Sequence, residues 1–230
     1  MKKTKLSKLL LTITLGVTLS ACQTTNAQDQ TTRSDKIDAA LEQAATAASI
    51  SGNKKQSLAY LEKIYSRKRD NPVAAINYGK ALKEAKEYER AAIVLAPFAN
   101  DIEAPAAAKT EYAGIQLALG NNDEAEKYAQ KAVIQDDKQF KAFHYLGIAL
   151  DAKTQHVEAE RAYKKGLENW QGDPVPIMNN LSLNLASQGH LDEALEILKK
   201  AKSLAPNRIE VERNIRIVKA LQESYTYSAP

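Results

Sequence analysis

Between Phe140 and Asp173 the apolar positions fall into two runs of helical period, with a polar turn between them. In the first run Phe143, Leu146, Gly147 and Leu150 stand at i, i+3, i+4 and i+7, one face of a helix. In the second, Ala159, Tyr163, Gly166 and Leu167 form a matching stripe. Gly147, Ala159 and Gly166 are small where larger side chains would hold two helices apart. A Gly inside a helix costs about 1 kcal/mol against Ala, so close packing is the reason to expect Gly166 there. The stretch predicts two helices folded face to face.

The same frame can be laid over the rest of the chain in steps of about 34 residues. Backwards it gives Ala106–Gln139, with Tyr112, Ala113, Ala125, Ala129 and Ala132. Before that come Pro72–Pro105, with Tyr78, Gly79, Leu82, Ala91 and Leu95, and Asp38–Asn71, with Ala44, Ala45, Leu58 and Leu61. Forwards, the next start falls at Val175, followed by Met178, Leu181, Leu185, Ala194 and Leu198. Pro97 falls late in a second helix and is expected to kink or end it near Ala96. After Pro206, Val211, Ile215 and Val218 form one stripe of a last helix, expected at 209–224 with a frayed tail at 225–230.

This spelling resembles the tetratricopeptide (TPR) repeat, whose pattern runs W-x2-L-G-x2-Y, then A-x3-F, then P. Phe143, Leu146-Gly147, Leu150, Ala159, Tyr163 and Pro174 carry the resemblance, with Phe in place of Trp. It implies an all-α fold, a TPR superhelix (α-solenoid) whose first helices line the concave side. The repeats are then 38–71, 72–105, 106–139, 140–174 and 175–208 within a domain at 35–224, closed by the last helix as a cap. The degenerate first repeat fits an end position.

The N-terminus reads as an address. Met1–Lys8 is basic and Leu9–Leu19 is apolar but too short for an ordinary membrane span, the layout of a secretory signal over 1–21. Leu19-Ser20-Ala21-Cys22 resembles the bacterial lipobox. That resemblance implies cleavage before Cys22 and lipidation of its sulfur and new amino group. Cys22 is also the only Cys, so no internal disulfide is possible. Gln23 follows it where inner-membrane lipoproteins often carry Asp, which by resemblance favours the outer membrane, periplasmic face. Acyl chains bury at about 0.8 kcal/mol per methylene, so several together hold firmly. Residues 23–34 are polar and are expected as a flexible tether, about 20 Å in r.m.s. span.

The formal charge of +4 invites a nucleic-acid reading, but its source is that same leader. Without Lys2, Lys3, Lys5 and Lys8 the chain has 28 basic and 28 acidic residues. No nucleic-acid partner and no small-molecule substrate is expected. The three His are scattered, and H-E-x-x-H, P-loop, G-x-S-x-G and G-x-G-x-x-G patterns are absent from the sequence. Asp123-Glu124 and Asp192-Glu193 open second helices, where carboxylates favour the macrodipole. No catalytic residue, metal site or cofactor is expected apart from the covalent lipid.

What remains is a groove. In TPR superhelices the lining positions are the second, fifth, sixth, ninth and twelfth of each repeat. Transferred by resemblance, they place Asn77, Lys80, Lys141, His144, Tyr145, Ile148, Asn180 and Leu183 against a protein partner. An Asn at the sixth position holds a bound peptide backbone in several TPR proteins, because an amide both donates and accepts. Asn77 and Asn180 match it, whereas Glu111 and Tyr145 do not.

Two stretches narrow the resemblance. Asn179-Asn180-Leu181-Ser182-Leu183 with Gly189-His190-Leu191-Asp192-Glu193-Ala194 is similar to the N-N-L-[AGS]-L…G-x-[LP]-x-x-A run of the TadD family. Val211-Glu212-Arg213-Asn214-Ile215 through Ala220-Leu221-Gln222 resembles that family's ending. These are TPR lipoproteins of tight-adherence (Flp) pilus loci. The resemblance implies a non-enzymatic assembly factor at the outer membrane, assisting the pilus secretin complex. A type IV pilus pilotin and a periplasmic scaffold for cell-envelope enzymes stay open as alternatives.

Overall fold

The computed structural model describes the backbone of residues 18–227 and the side chains of residues 33–224. Among the described residues all regular structure is helical. The helices are α1 (Thr18–Ile50), α2 (Lys54–Arg67), α3 (Pro72–Glu84), α4 (Tyr88–Asn100), α5 (Ala106–Ala118) and α6 (Asn122–Gln135), followed by α7 (Phe140–Ala152), α8 (His156–Glu168), α9 (Val175–Ser187), α10 (Leu191–Leu204) and α11 (Ile209–Tyr227). The chain divides into two compact units after Ile64, inside α2.

In the first unit α1 and α2 are joined by a tight turn in which Gly52 takes φ 76°. Small buried residues, Ala45 and Ala48, let the helices approach, and the Ser57 hydroxyl donates to the Ala45 carbonyl at 3.0 Å. Most of the signal segment expected at 1–21 lies outside the described residues, as does the Cys22 side chain. The stretch 23–34, expected as a flexible tether, is instead helical, part of α1. It contains neither Gly nor Pro, so nothing stops a helix already nucleated further along from propagating back through it.

The second unit is a run of helical hairpins: α3 with α4, α5 with α6, α7 with α8, α9 with α10, and α11 closing the series. Its first helix starts on Pro72, and the Asn71 side chain accepts the Ala74 N–H at 3.0 Å. Gly147 shows why small residues recur at the hairpin faces: a Cβ there would stand 2.4 Å from the Tyr163 ring. At Gly166 a Cβ would meet Ile177 at 2.8 Å, so α8 lies close on α9. The core runs along the hairpins through Leu82, Leu95, Ile115, Tyr163, Ile177, Leu181, Leu185 and Leu198, and ends on Val211 and Val218 of α11.

Two expectations are corrected here. Of the two outcomes expected at Pro97, a kink or an end, the end does not occur: α4 continues to Asn100. The missing Pro97 N–H deprives the carbonyl one turn back, that of Ile93, and Ile93 is 74% exposed, so water can serve that carbonyl. Tyr225–Tyr227, expected in a frayed tail, belong to α11, because neither Gly nor Pro stops the helix before them. The last three residues lie outside the described ones.

Candidate partner-binding groove

The packing decides which face is the inner one. In the second unit α3 touches α5, α5 touches α7, α7 touches α9 and α9 touches α11. Successive second helices make no comparable contact with each other and pack on first helices instead. First helices therefore lie on the shorter, inner radius and form its wall.

On α3, Asn77 is exposed and Lys80 stands next along the same stripe, its side chain 41% exposed. The neighbouring Lys83 reaches inward. Its ammonium lies 2.5 Å from Glu111 of α5 and donates to the Tyr145 hydroxyl of α7 at 3.2 Å. Lys80 approaches the same carboxylate at 3.8 Å. The Tyr145 ring lies over Gly114, where a Cβ would stand 2.7 Å from it. Three first helices are thus tied across the floor by Lys83, Glu111 and Tyr145. Burial alone would lower the Lys83 pKa, but its contacts with Tyr145 and Glu111 outweigh this and raise it. Burial pushes the Tyr145 phenol up.

Lys141 is exposed in the first turn of α7, and Ile148 and Leu183 are half-buried further along the wall. His144 lies elsewhere. It is 9% exposed and stands edge-on to Trp170, with ring centroids 5.5 Å apart, and stacked on Tyr145. Its Nε2 is 2.9 Å from the Asn180 side-chain nitrogen. An amide NH2 only donates, so Nε2 accepts and the ring is neutral with its proton on Nδ1. Burial lowers the His144 pKa to about 4. His144 is therefore corrected from a groove residue to an interhelix one. One residue along a helix is a turn of about 100°, which carries its side chain off the stripe that Tyr145 occupies. Asn180 is half-buried and uses its amide nitrogen on His144.

Several polar groups were not singled out from sequence. Lys109, 5% exposed, donates to the carbonyls of Asp101 and Ala104 at 2.8 and 3.2 Å and holds the α4–α5 loop; burial lowers its pKa. Asp151 accepts from the Tyr163 hydroxyl at 2.9 Å and the Asn184 amide at 2.6 Å, and faces His156 Nδ1 at 2.9 Å. It joins α7, α8 and α9. The signal for Glu111 and Lys83 was a charge of each sign on otherwise small or apolar inner stripes. Among the described residues no cluster of metal-ligating side chains occurs, and no helix is long and apolar enough to cross a membrane.

Residues 175–208, which form α9 and α10, match the family model of the tetratricopeptide repeat. The fold is a TPR solenoid. Similar solved structures include a crystal structure of the MamA protein, with 18% identity, TM-score 0.56 and coverage of 73% of this chain and 91% of that one. YrrB, described as a TPR protein with an unusual peptide-binding site, gives 17% identity and TM-score 0.55 over 75% of this chain and 88% of its own. TTC0263, a thermophilic TPR protein of Thermus thermophilus, gives 15% identity and TM-score 0.66 over 80% and 99%. At such identities the likeness is one of fold. No curated protein matches the chain.

Proposed function

We propose that this TPR chain is a non-enzymatic, lipid-anchored assembly factor that holds a segment of a partner protein on its first-helix wall. The observation that carries the reading is the continuous inner surface on which Asn77, Lys80, Lys141, Ile148 and Leu183 stand accessible or half-accessible. The peptide-binding site named for YrrB, a structure of the same fold, supports a peptide as the kind of ligand. The lipobox around Cys22 supports anchoring at the periplasmic face of the outer membrane. The Asn179–Leu183 and Val211–Gln222 stretches, similar to TadD, support a place in Flp pilus assembly with the secretin complex as partner. A tethered solenoid would raise the effective concentration of such a partner near the membrane.

Photo-crosslinking in the cell from positions 141 and 183, with mass spectrometry of the captured protein, tests the groove and the partner together. Capture of a secretin subunit is the expected result. Capture of a cell-wall enzyme would move the chain to envelope scaffolding, and capture only from second-helix positions would remove the groove. Separately, Cys22→Ser should shift the protein from the membrane to the soluble fraction; retention in the membrane would contradict the anchor.

A further inference from the structure

Large apolar side chains are exposed unevenly on the second unit. The turns inside the hairpins, at Lys86-Glu87, Gly120-Asn121, Thr154-Gln155 and Gly189-His190, leave none of them in solvent. The connections between hairpins do. Ile102 in the α4–α5 loop is 80% exposed, Ile134 in the last turn of α6 84%, and Ile209 at the start of α11 78%; Leu204, at the end of α10, is exposed too. These connections follow one another along a single edge. Gln135, next to Ile134, donates to the Ala104 carbonyl at 3.0 Å. Phe140 and Trp170, both half-buried, meet edge to face with centroids 4.9 Å apart, and Asp173 beyond them pairs with Arg208. Ile102 is held in place rather than left loose. Asp101 accepts the Glu103 N–H at 2.9 Å, and the buried Lys109 ammonium donates to the carbonyls of Asp101 and Ala104, on either side of it. Burying an ammonium is costly in itself, and here it fixes a loop whose tip is an isoleucine in solvent.

We propose that this edge is a second membrane contact, through which Ile102, Ile134 and Ile209 dip into the headgroup layer of a zwitterionic bilayer. The inference rests on the lipid-anchor reading above and adds how the folded part meets the surface. The tips stand on separate connections with polar residues between them. A protein would need a matched pocket for each, whereas a fluid headgroup layer accepts each one where it falls. In the same loops Asp101, Glu103, Asp136, Asp137 and Asp173 outnumber Lys138 and Arg208, so the attraction is not that of a basic patch for anionic lipid. Trp170 has an apolar body against Phe140 and an Nε1–H that donates to the Asp173 carbonyl, a side chain suited to a boundary between oil and water. A few isoleucines hold a bilayer weakly, but an anchor on the same chain raises their effective concentration at it.

The test reconstitutes the full chain, purified from membranes, in phosphatidylcholine vesicles with or without lipid brominated high on its acyl chain. Flotation reads the anchor, and quenching of Trp170, the only Trp, reads the edge. The chain should float with the vesicles and lose Trp170 emission to the brominated lipid. Ile102→Ser with Ile134→Ser, folded as judged by circular dichroism, should still float and should lose most of the quenching. Replacing part of the lipid by phosphatidylglycerol should not increase it. Flotation without quenching, or quenching that survives the double variant, overturns the edge contact and leaves the anchor standing. Quenching that rises with phosphatidylglycerol overturns the zwitterionic assignment. Failure to float overturns the anchor and this contact with it. Photo-crosslinking from position 102 in cells should label lipid; labelling of protein alone would make the edge a protein-docking surface and overturn the proposal.

Discussion

His144 shows how burial turns one residue into a pH-dependent contribution to stability. In the folded chain its ring is enclosed by Tyr145, Tyr163 and Trp170, accepts from Asn180, and holds a pKa of about 4. In the unfolded chain an imidazole titrates near 6.5. Between those values the unfolded state binds more protons, so stability is full above the upper one and is lost as pH falls towards the lower. At pH 4.5 the loss should reach about 2 kcal/mol relative to pH 7. His144→Gln keeps an acceptor for Asn180 and removes the titration. Urea unfolding at the two pH values, followed through Trp170, the only Trp, should show a smaller pH loss for the variant by that amount. Equal losses would mean that the ring protonates as readily folded as unfolded. The sequence could place His144 beside Tyr145 but not tell their directions apart, since both positions count as lining in the repeat pattern. Only the packing shows which one faces the groove.

At the scale of the helical hairpin, the turn from first to second helix uses the same left-handed residue each time. It is Lys86 at φ 63°, Gly120 at 78°, Thr154 at 61° and Gly189 at 84°. Gly adopts this conformation without strain, whereas a β-branched residue there is a genuine outlier. Thr154→Gly should therefore stabilise the chain by about 0.5–1 kcal/mol, read as a rise in Tm of roughly 2 °C. Gly120→Ala should act in the opposite direction. The Thr154 hydroxyl bonds only its neighbour's carbonyl, Lys153, at an exposed site, so its loss costs little. A fall in Tm for Thr154→Gly would mean that this turn is held by something other than backbone geometry. Much of the hairpin order was legible because small residues, Gly147 and Gly166 among them, recur where helices must touch, and the start at Pro72 has its own cap. The helical state of 23–34 and the passage of α4 through Pro97 were not. Polar composition is compatible with a helix when nothing breaks it, and one lost hydrogen bond near an exposed helix end is tolerated.

The second unit as a whole is a linear stack, in which each hairpin is stabilised mainly by its immediate neighbours. Its last member, α11, contributes Val211 and Val218, both at 0% exposure, to a cluster with Leu185 and Leu198. Asn214 adds a hydrogen bond to Asn179 at 2.7 Å and Glu212 an ion pair with Lys202 at 3.0 Å. The ion pair is exposed and adds little. The two valines carry most of the term, about 3–6 kcal/mol at 1.5–3 kcal/mol per buried side chain. A chain ending at Arg208 should lose that much and uncover the apolar faces of α9 and α10. The consequence should be local. Hydrogen exchange should show amides of α9 and α10 losing protection, while those of α5 and α6, two hairpins away, keep theirs. Those helices rely on their own contacts, such as the Tyr128 hydroxyl on Asn100 at 2.6 Å and Lys109 on the α4–α5 loop. Uniform loss of protection would mean that the first-helix contacts from α3 through α5, α7 and α9 to α11 couple the stack into one cooperative body. Stability would then be a property of the whole wall rather than of neighbouring pairs, and a partner lying along α3 to α9 would be sensed by every repeat at once.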